Sequence, residues 1–307
     1  MSGQANLIGI LQERVGNLFD EGKIEEAQRV ATTALDSARR AVNNDRANLP
    51  QLISALETLG DLHRHQGDFH GAEAIYSEAL GYLEEGGDPA QIARIESSLA
   101  GLYDFGEMED QAIPLYEHAI ELFESVDPPQ LLEAANLRNN VAMIYKGMEQ
   151  FEAAETHYIQ ALSAFETHFG REDEQVATVY NNLGTLYWQA GQSDQAREMH
   201  LSALEIRRSL FGDKHPDVAQ SYSNLALAYH ELEDGANCRD CFETSLKILE
   251  GHITEDVEDY SIVAENYADL LRLSGDNKRA ASVEKKSAKL LKKYASRGEG
   301  VLAGILG

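Results

Sequence analysis

Cys238 and Cys241 are separated by two residues, the spacing of a redox-active dithiol or of one half of a zinc site. His63, His65 and His70 form a second cluster of metal-binding type, but no acidic or thiol motif beside them completes a ligand set. The stretch from Gly16 to Lys23 approaches a phosphate-cradling loop, yet it is one residue too long and is followed by Ile24 instead of Ser or Thr. Nucleophile elbows, zinc-protease helices and dinucleotide fingerprints are absent. The chain therefore reads as a non-enzyme, with no catalytic residue, no metal and no cofactor. The remaining candidates are groups that bind.

Asn140, Asn182, Asn224 and Asn266 recur at intervals of 42 residues. Asn is a mediocre helix former, but its amide supplies two donors and an acceptor. A row of amides could pair with the backbone of an extended partner, or tie one repeat to the next as a buried polar ladder. Trp188, Lys146 and His230 occupy one repeat position and are expected to face the same groove, together with Arg64 and Arg272. A partly exposed Trp is a good interface anchor. Near the C-terminus, residues 278–297 carry eight basic side chains against the single acid Glu284. There Lys285, Lys286, Lys289, Lys292 and Lys293 form a basic patch, followed by an apolar tail at 298–307. Two roles fit the patch: a polar cap for the last repeat, or a docking face for an acidic filament or an anionic membrane surface.

The 307 residues are 43% apolar and 25% charged, enough to bury a core, so neither a disordered chain nor a disulfide-stapled miniprotein fits. A net charge of -26 repels phosphate backbones and argues against nucleic acid as a partner. No apolar run approaches the ~20 residues that span a bilayer, and two cysteines are too few for a disulfide framework. These features point to a cytoplasmic protein, which the basic patch could bring to a membrane surface.

What positions these groups is an internal repeat. A small residue follows an apolar one at Gly60, Ala100, Ala142, Gly184, Ala226 and Ala268, and twelve residues later stand Ala72, Ala112, Ala154, Ala196, Cys238 and Ala280. Cys238 thus takes an alanine's place, which makes it a core residue. Val15 and Ala27 give a divergent first copy. Apolar residues three and four apart form one helical stripe, and the small residue lets a paired helix approach. Each copy predicts a helix hairpin, with turns at Gly67, Gly191 and Gly275. Asp88-Pro89, Asp127-Pro128 and His215-Pro216 are expected to cap and start helices, and Pro114 to sit in the first turn of one.

The copy Tyr180-x-x-Leu183-Gly184-x-x-Tyr187 with Ala196-x-x-x-His200-x-x-Ala203 resembles the tetratricopeptide repeat. The text from Ala203-Leu-Glu-Ile-Arg-Arg through Gly212-Asp-Lys-His-Pro-Asp-Val-Ala219 and Asn224-Leu-Ala resembles the longer repeat of kinesin light chains. Phe169-Gly170 and Val176-Ala177 repeat it one period earlier. The resemblance implies an all-α fold: a tetratricopeptide repeat solenoid of about seven hairpins in a right-handed superhelix, spanning residues 6–297 behind an extension at 1–5. Members of this family are cargo adaptors with Asn rows in the groove. No heptad run precedes the first hairpin, and the compact acidic form is similar to bacterial kinesin light chain-like proteins, which are associated with bacterial tubulins. The resemblance thus implies a protein–protein interaction adaptor for a bacterial tubulin-type filament; a membrane-docking module and a peptide-sensing receptor are the alternatives. The two-carboxylate clamp of chaperone-tail receptors is missing, since Asp61, Gly101, Met143, Thr185, Leu227 and Asp269 follow the small residues.

Overall fold

The computed structural model describes residues 2–84, 86–253 and 257–295, which hold fourteen α-helices and no strand. They form two compact units, Met1–Met148 and Glu149–Gly307. The first contains α1 (Ser2–Asp20), α2 (Ile24–Asn44), α3 (Leu49–His65), α4 (Phe69–Leu83), α5 (Pro89–Phe105), α6 (Glu109–Ser125) and α7 (Leu131–Gly147). The second contains α8 (Phe151–Phe169), α9 (Glu174–Gln189), α10 (Ser193–Phe211), α11 (Pro216–Glu231), α12 (Gly235–Gly251), α13 (Val257–Leu273) and α14 (Asn277–Ala295). The extension expected at residues 1–5 is taken into α1 from Ser2 onward, and the tail at 298–307 lies outside the described residues.

Within the first unit α1, α3 and α5 pack on α2, α4 and α6, and α7 packs on α6; within the second, α9, α11 and α13 pack on α10, α12 and α14, and α8 packs on α9. The small residues of the repeat are the reason. Ala100, Ala142, Ala226 and Ala268 are buried, as are Ala27, Ala72, Ala112, Ala154, Ala196, Cys238 and Ala280. At both glycine positions a ring from the paired helix occupies the space a Cβ would take. A Cβ on Gly60 would stand 2.5 Å from the Tyr76 ring, and one on Gly184 would stand 2.6 Å from the His200 ring.

Gly22, Gly67, Gly191 and Gly275 all have positive φ, as turns between paired helices demand. The same place in the other three repeats holds Glu107 (φ 54°), Glu149 (φ 59°) and Glu233 (φ 56°). The flanking bonds are those of a Schellman turn, for example Glu233 N to His230 O at 2.9 Å and Asp234 N to Tyr229 O at 2.9 Å. The turn geometry is therefore imposed by helix packing, even on residues that disfavour it.

Two expectations about proline need correction. Pro114 is the sixth residue of α6, beyond the first turn, so its missing N–H removes an intrahelical bond to Asp110. Asp127-Pro128 does not start a helix: α7 begins at Leu131 with Gln130 before it, and the Asp127-Pro128 bond is cis. By contrast, Asp88 accepts from the backbone N–H of Gln91 at the start of α5, and His215 Nδ1 accepts from Asp217 N at 3.2 Å at the start of α11.

Candidate functional site

A helix face repeated from one odd-numbered helix to the next carries the candidate groups. On α9 the buried residues Val176, Ala177, Val179, Leu183, Gly184, Leu186 and Tyr187 turn toward the core. Asn181, Asn182, Thr185 and Trp188, spaced at one, three and three residues, lie together on the half-buried side. The corresponding set on α11 is Ser223, Asn224, Leu227 and His230; of these Ser223 is buried and the others half-buried. On α7, in the first unit, it is Asn139, Asn140, Met143 and Lys146, with Met143 about half exposed. The sequence therefore placed Trp188, Lys146 and His230 on the same face as their asparagines.

The asparagines themselves divide. Asn224 Nδ2 donates to Asn181 Oδ1 at 2.8 Å, so this amide ties α11 to α9. Asn140 reaches the hydroxyl of Tyr116, which burial holds up at about 12 and which this amide draws back down. Asn182 is half-buried and engaged. Asn266, on α13, is exposed. Asn224 and Asn140 thus belong to joints within the protein, whereas Asn266 presents its amide to solvent.

Lys146 is the electrostatic feature of this face in the first unit. Its amine is half-buried, and the loss of water pulls its pKa below the usual lysine value with no carboxylate to oppose the shift. A cation in that state gains from any carboxylate brought to it. Next to it, Tyr145 turns the other way and donates to Glu117 Oε1 at 2.7 Å. Tyr103 and Tyr187, at the same repeat position, donate to Glu73 at 2.8 Å and Glu155 at 2.5 Å. These bonds fasten a first helix to the preceding second helix and so hold the open face in place.

The residues shared with the kinesin light chain text form the joint behind this face. Arg207, buried in α10, donates through Nη1 to Asp217 O at 3.2 Å, Gln220 Oε1 at 3.0 Å and Ser221 Oγ at 3.0 Å. Its neighbour Arg208 pairs with Asp213 at 2.6 Å, and His215 caps α11. The Ile-Arg-Arg and His-Pro-Asp-Val-Ala segments therefore lock one hairpin to the next.

Cys238 and Cys241 are both buried, and burial pushes their thiols up to about 11 and about 12, away from the reactive thiolate. His63 Nδ1 lies 2.6 Å from Asp68 Oδ2 at the turn before α4. Among the described residues no group of His, Cys, Asp and Glu is arranged to hold a metal ion. No described helix is long and apolar enough to cross a membrane.

The basic residues expected as a patch lie on α14, where Lys285, Lys286, Lys289, Lys292 and Lys293 are exposed. Lys286 pairs with Glu250, and Lys293 stands 5.4 Å from the centre of the Tyr294 ring. Sequence reasoning used Met143, Thr185 and Leu227 only to exclude a carboxylate clamp. Their position three residues after the asparagines was the available signal that they share the open face.

The tetratricopeptide repeat family model matches residues 51–125, 133–209, 175–234 and 217–293. Among solved structures, BtubC (BKLC) from P. vanneervenii is 34% identical, with 75% of this chain and 92% of that chain covered and a TM-score of 0.65. Kinesin light chain nearly identical TPR-like repeats from Podosopora anserina are 15% identical over 65% of this chain and 96% of that one, with a TM-score of 0.57. A tetratricopeptide repeat protein from Parabacteroides merdae is 17% identical over 93% of each chain, with a TM-score of 0.58. The last two show the fold alone. Among curated proteins none matches.

Proposed function

We propose, for a chain that belongs to the tetratricopeptide repeat family and to its bacterial kinesin light chain-like members, that it is an adaptor whose open first-helix faces dock a bacterial tubulin-type filament. Proteins of this repeat family generally mediate protein–protein interactions, typically as non-enzymatic scaffolds. The observation that carries the reading is the recurrence on α7, α9 and α11 of one face combining amides, an apolar residue and a larger group, Lys146, Trp188 or His230. Such a face offers hydrogen bonds, apolar area and one half-desolvated cation to a protein surface. The similarity to BtubC and the kinesin light chain text favour a tubulin-type partner over other proteins.

The chain has a single Trp, so Trp188 reports on its own site. Filaments of a bacterial tubulin should co-pellet the protein and shift its tryptophan emission. Trp188→Ala and Lys146→Ala should each weaken co-pelleting by about tenfold without lowering the melting temperature. Pelleting no greater than that of an unrelated acidic protein would remove the partner. Pelleting that survives both substitutions would move the docking surface elsewhere.

A further inference from the structure

An aromatic pair stands in solvent at the turn edge of the first unit. Phe105, the last residue of α5, is 72% exposed, and Phe69, the first of α4, is 38% exposed. Their ring centroids are 5.0 Å apart, and Met108 beside them is 39% exposed. Large apolar groups clustered on a surface mark contact sites, whereas single ones do not. Asp104, Glu107, Glu109 and Asp110 surround the pair in sequence, and no cation pairs with them among the described residues. They belong to a wider field, since residues 57–127 hold 17 acidic side chains and only Arg64 and Arg94 as bases. Aromatic faces within an acidic field select a segment that is basic and has aliphatic stems.

The second unit carries such a segment. On α14, Lys285, Lys289 and Lys292 are exposed and make no ion pair among the described residues. Residues 285, 289 and 292 follow one another at four and three, so they share one helix face about 10 Å long. Their ammonium groups can lie over the Phe105 ring and beside Glu107 and Asp110, while their methylene stems cover the ring edges.

We propose that this lysine face of α14 docks on the Phe69–Phe105 edge of a second copy of the chain, in a head-to-tail contact. The two surfaces differ, so the contact is heterologous, joining the lysine face of one copy to the aromatic edge of another. Salt acts on it in two ways. At about 0.1 M the long-range repulsion between two acidic chains is screened beyond about 10 Å while contact pairs persist, and at about 1 M the contact pairs weaken as well. This self-association is independent of the filament-docking reading and uses none of its residues.

Sedimentation of the full chain at rising concentration is the test. At about 0.1 M salt the weight-average mass should climb above the monomer, and at about 1 M it should fall back. Phe105→Ala should weaken association about tenfold, and its exposed site leaves the fold intact. The charge-reversed variants K285E/K289E/K292E and E107K/D110K should each remain monomeric alone and associate when mixed, because each then supplies the surface the other lacks. Helical circular dichroism and melting confirm that both variants are folded. A wild-type chain that stays monomeric at every concentration at about 0.1 M salt overturns the proposal. So does association that survives both reversals, or a mixture that stays monomeric.

Discussion

The hairpin α9–α10 and the hairpin α13–α14 lie in the same unit and share one repeat register, yet they spend the same positions differently. In the first, Gly184 faces His200, which is 2% exposed and has an unbonded Nδ1. In the last, Ala268 stands where Gly184 did, and Glu284 stands where His200 did, exposed and paired with Arg272. Asn182 is half-buried on α9, while Asn266 is exposed on α13. Arg272 occupies the Trp188 position and bonds both Asp269 and Glu284. A position that a neighbouring repeat covers becomes core or joint, and the same position exposed on α13–α14 carries charged groups that pair with one another.

The largest expected effect tests how deeply the interior hairpin is buried. Burial, aided by Arg207, lowers the His200 pKa to about 4 from 6.5. The folded protein thus holds a neutral imidazole that the unfolded chain would protonate, so stability is full above pH 6.5 and declines toward pH 4, by about 3 kcal/mol. His200→Phe, which copies Phe242 of the next repeat, should remove this part of the acid loss. Chemical denaturation of both proteins between pH 7 and pH 4.5 would reveal it. Parallel curves would mean that His200 is not desolvated.

Next comes Gly184→Ala, whose new Cβ would meet the His200 ring at 2.6 Å. We expect a loss of about 2 kcal/mol from overpacking. Ala268→Gly in the terminal hairpin should cost only about 1 kcal/mol, from helix propensity. Equal losses would erase the distinction between the two hairpins.

Asn224→Ala removes the 2.8 Å bond to Asn181 and should destabilise by about 1 kcal/mol, whereas Asn266→Ala should change the melting temperature little. If the two behave alike, the amide row is not a ladder at α9–α11. The smallest effect should come at the turns. Gly191 and Gly275 serve the two hairpins compared, and Glu233 takes their place between α11 and α12 at φ 56°. Glu233→Gly should stabilise by about 0.5 kcal/mol, since relief of the left-handed strain slightly exceeds the added freedom of the unfolded chain. Thermal melts of the pair would resolve the sign.

Much of the architecture was legible because the repeat writes it several times. The small residues twelve apart, the glycine turns and the caps at Asp88 and His215 are local demands, and they hold in the structure. The proline readings at Pro114 and Pro128 failed for a shared reason: each assumed a helix start that packing placed a few residues away. The αL turns at Glu107, Glu149 and Glu233 could not be read from residue type, since glutamate gives no sign of positive φ. The division of the asparagines was equally hidden, because one amide type in one register bonds Asn181 at α11 and faces solvent at α13.

The sequence by itself determined an array of helix hairpins, since helical periodicity and the need for small residues at close approach are properties of neighbours along the chain. Tertiary structure alone decided which copy of each repeated position is buried, paired or open. That depends on what packs across from it, and identical positions in successive repeats meet different neighbours.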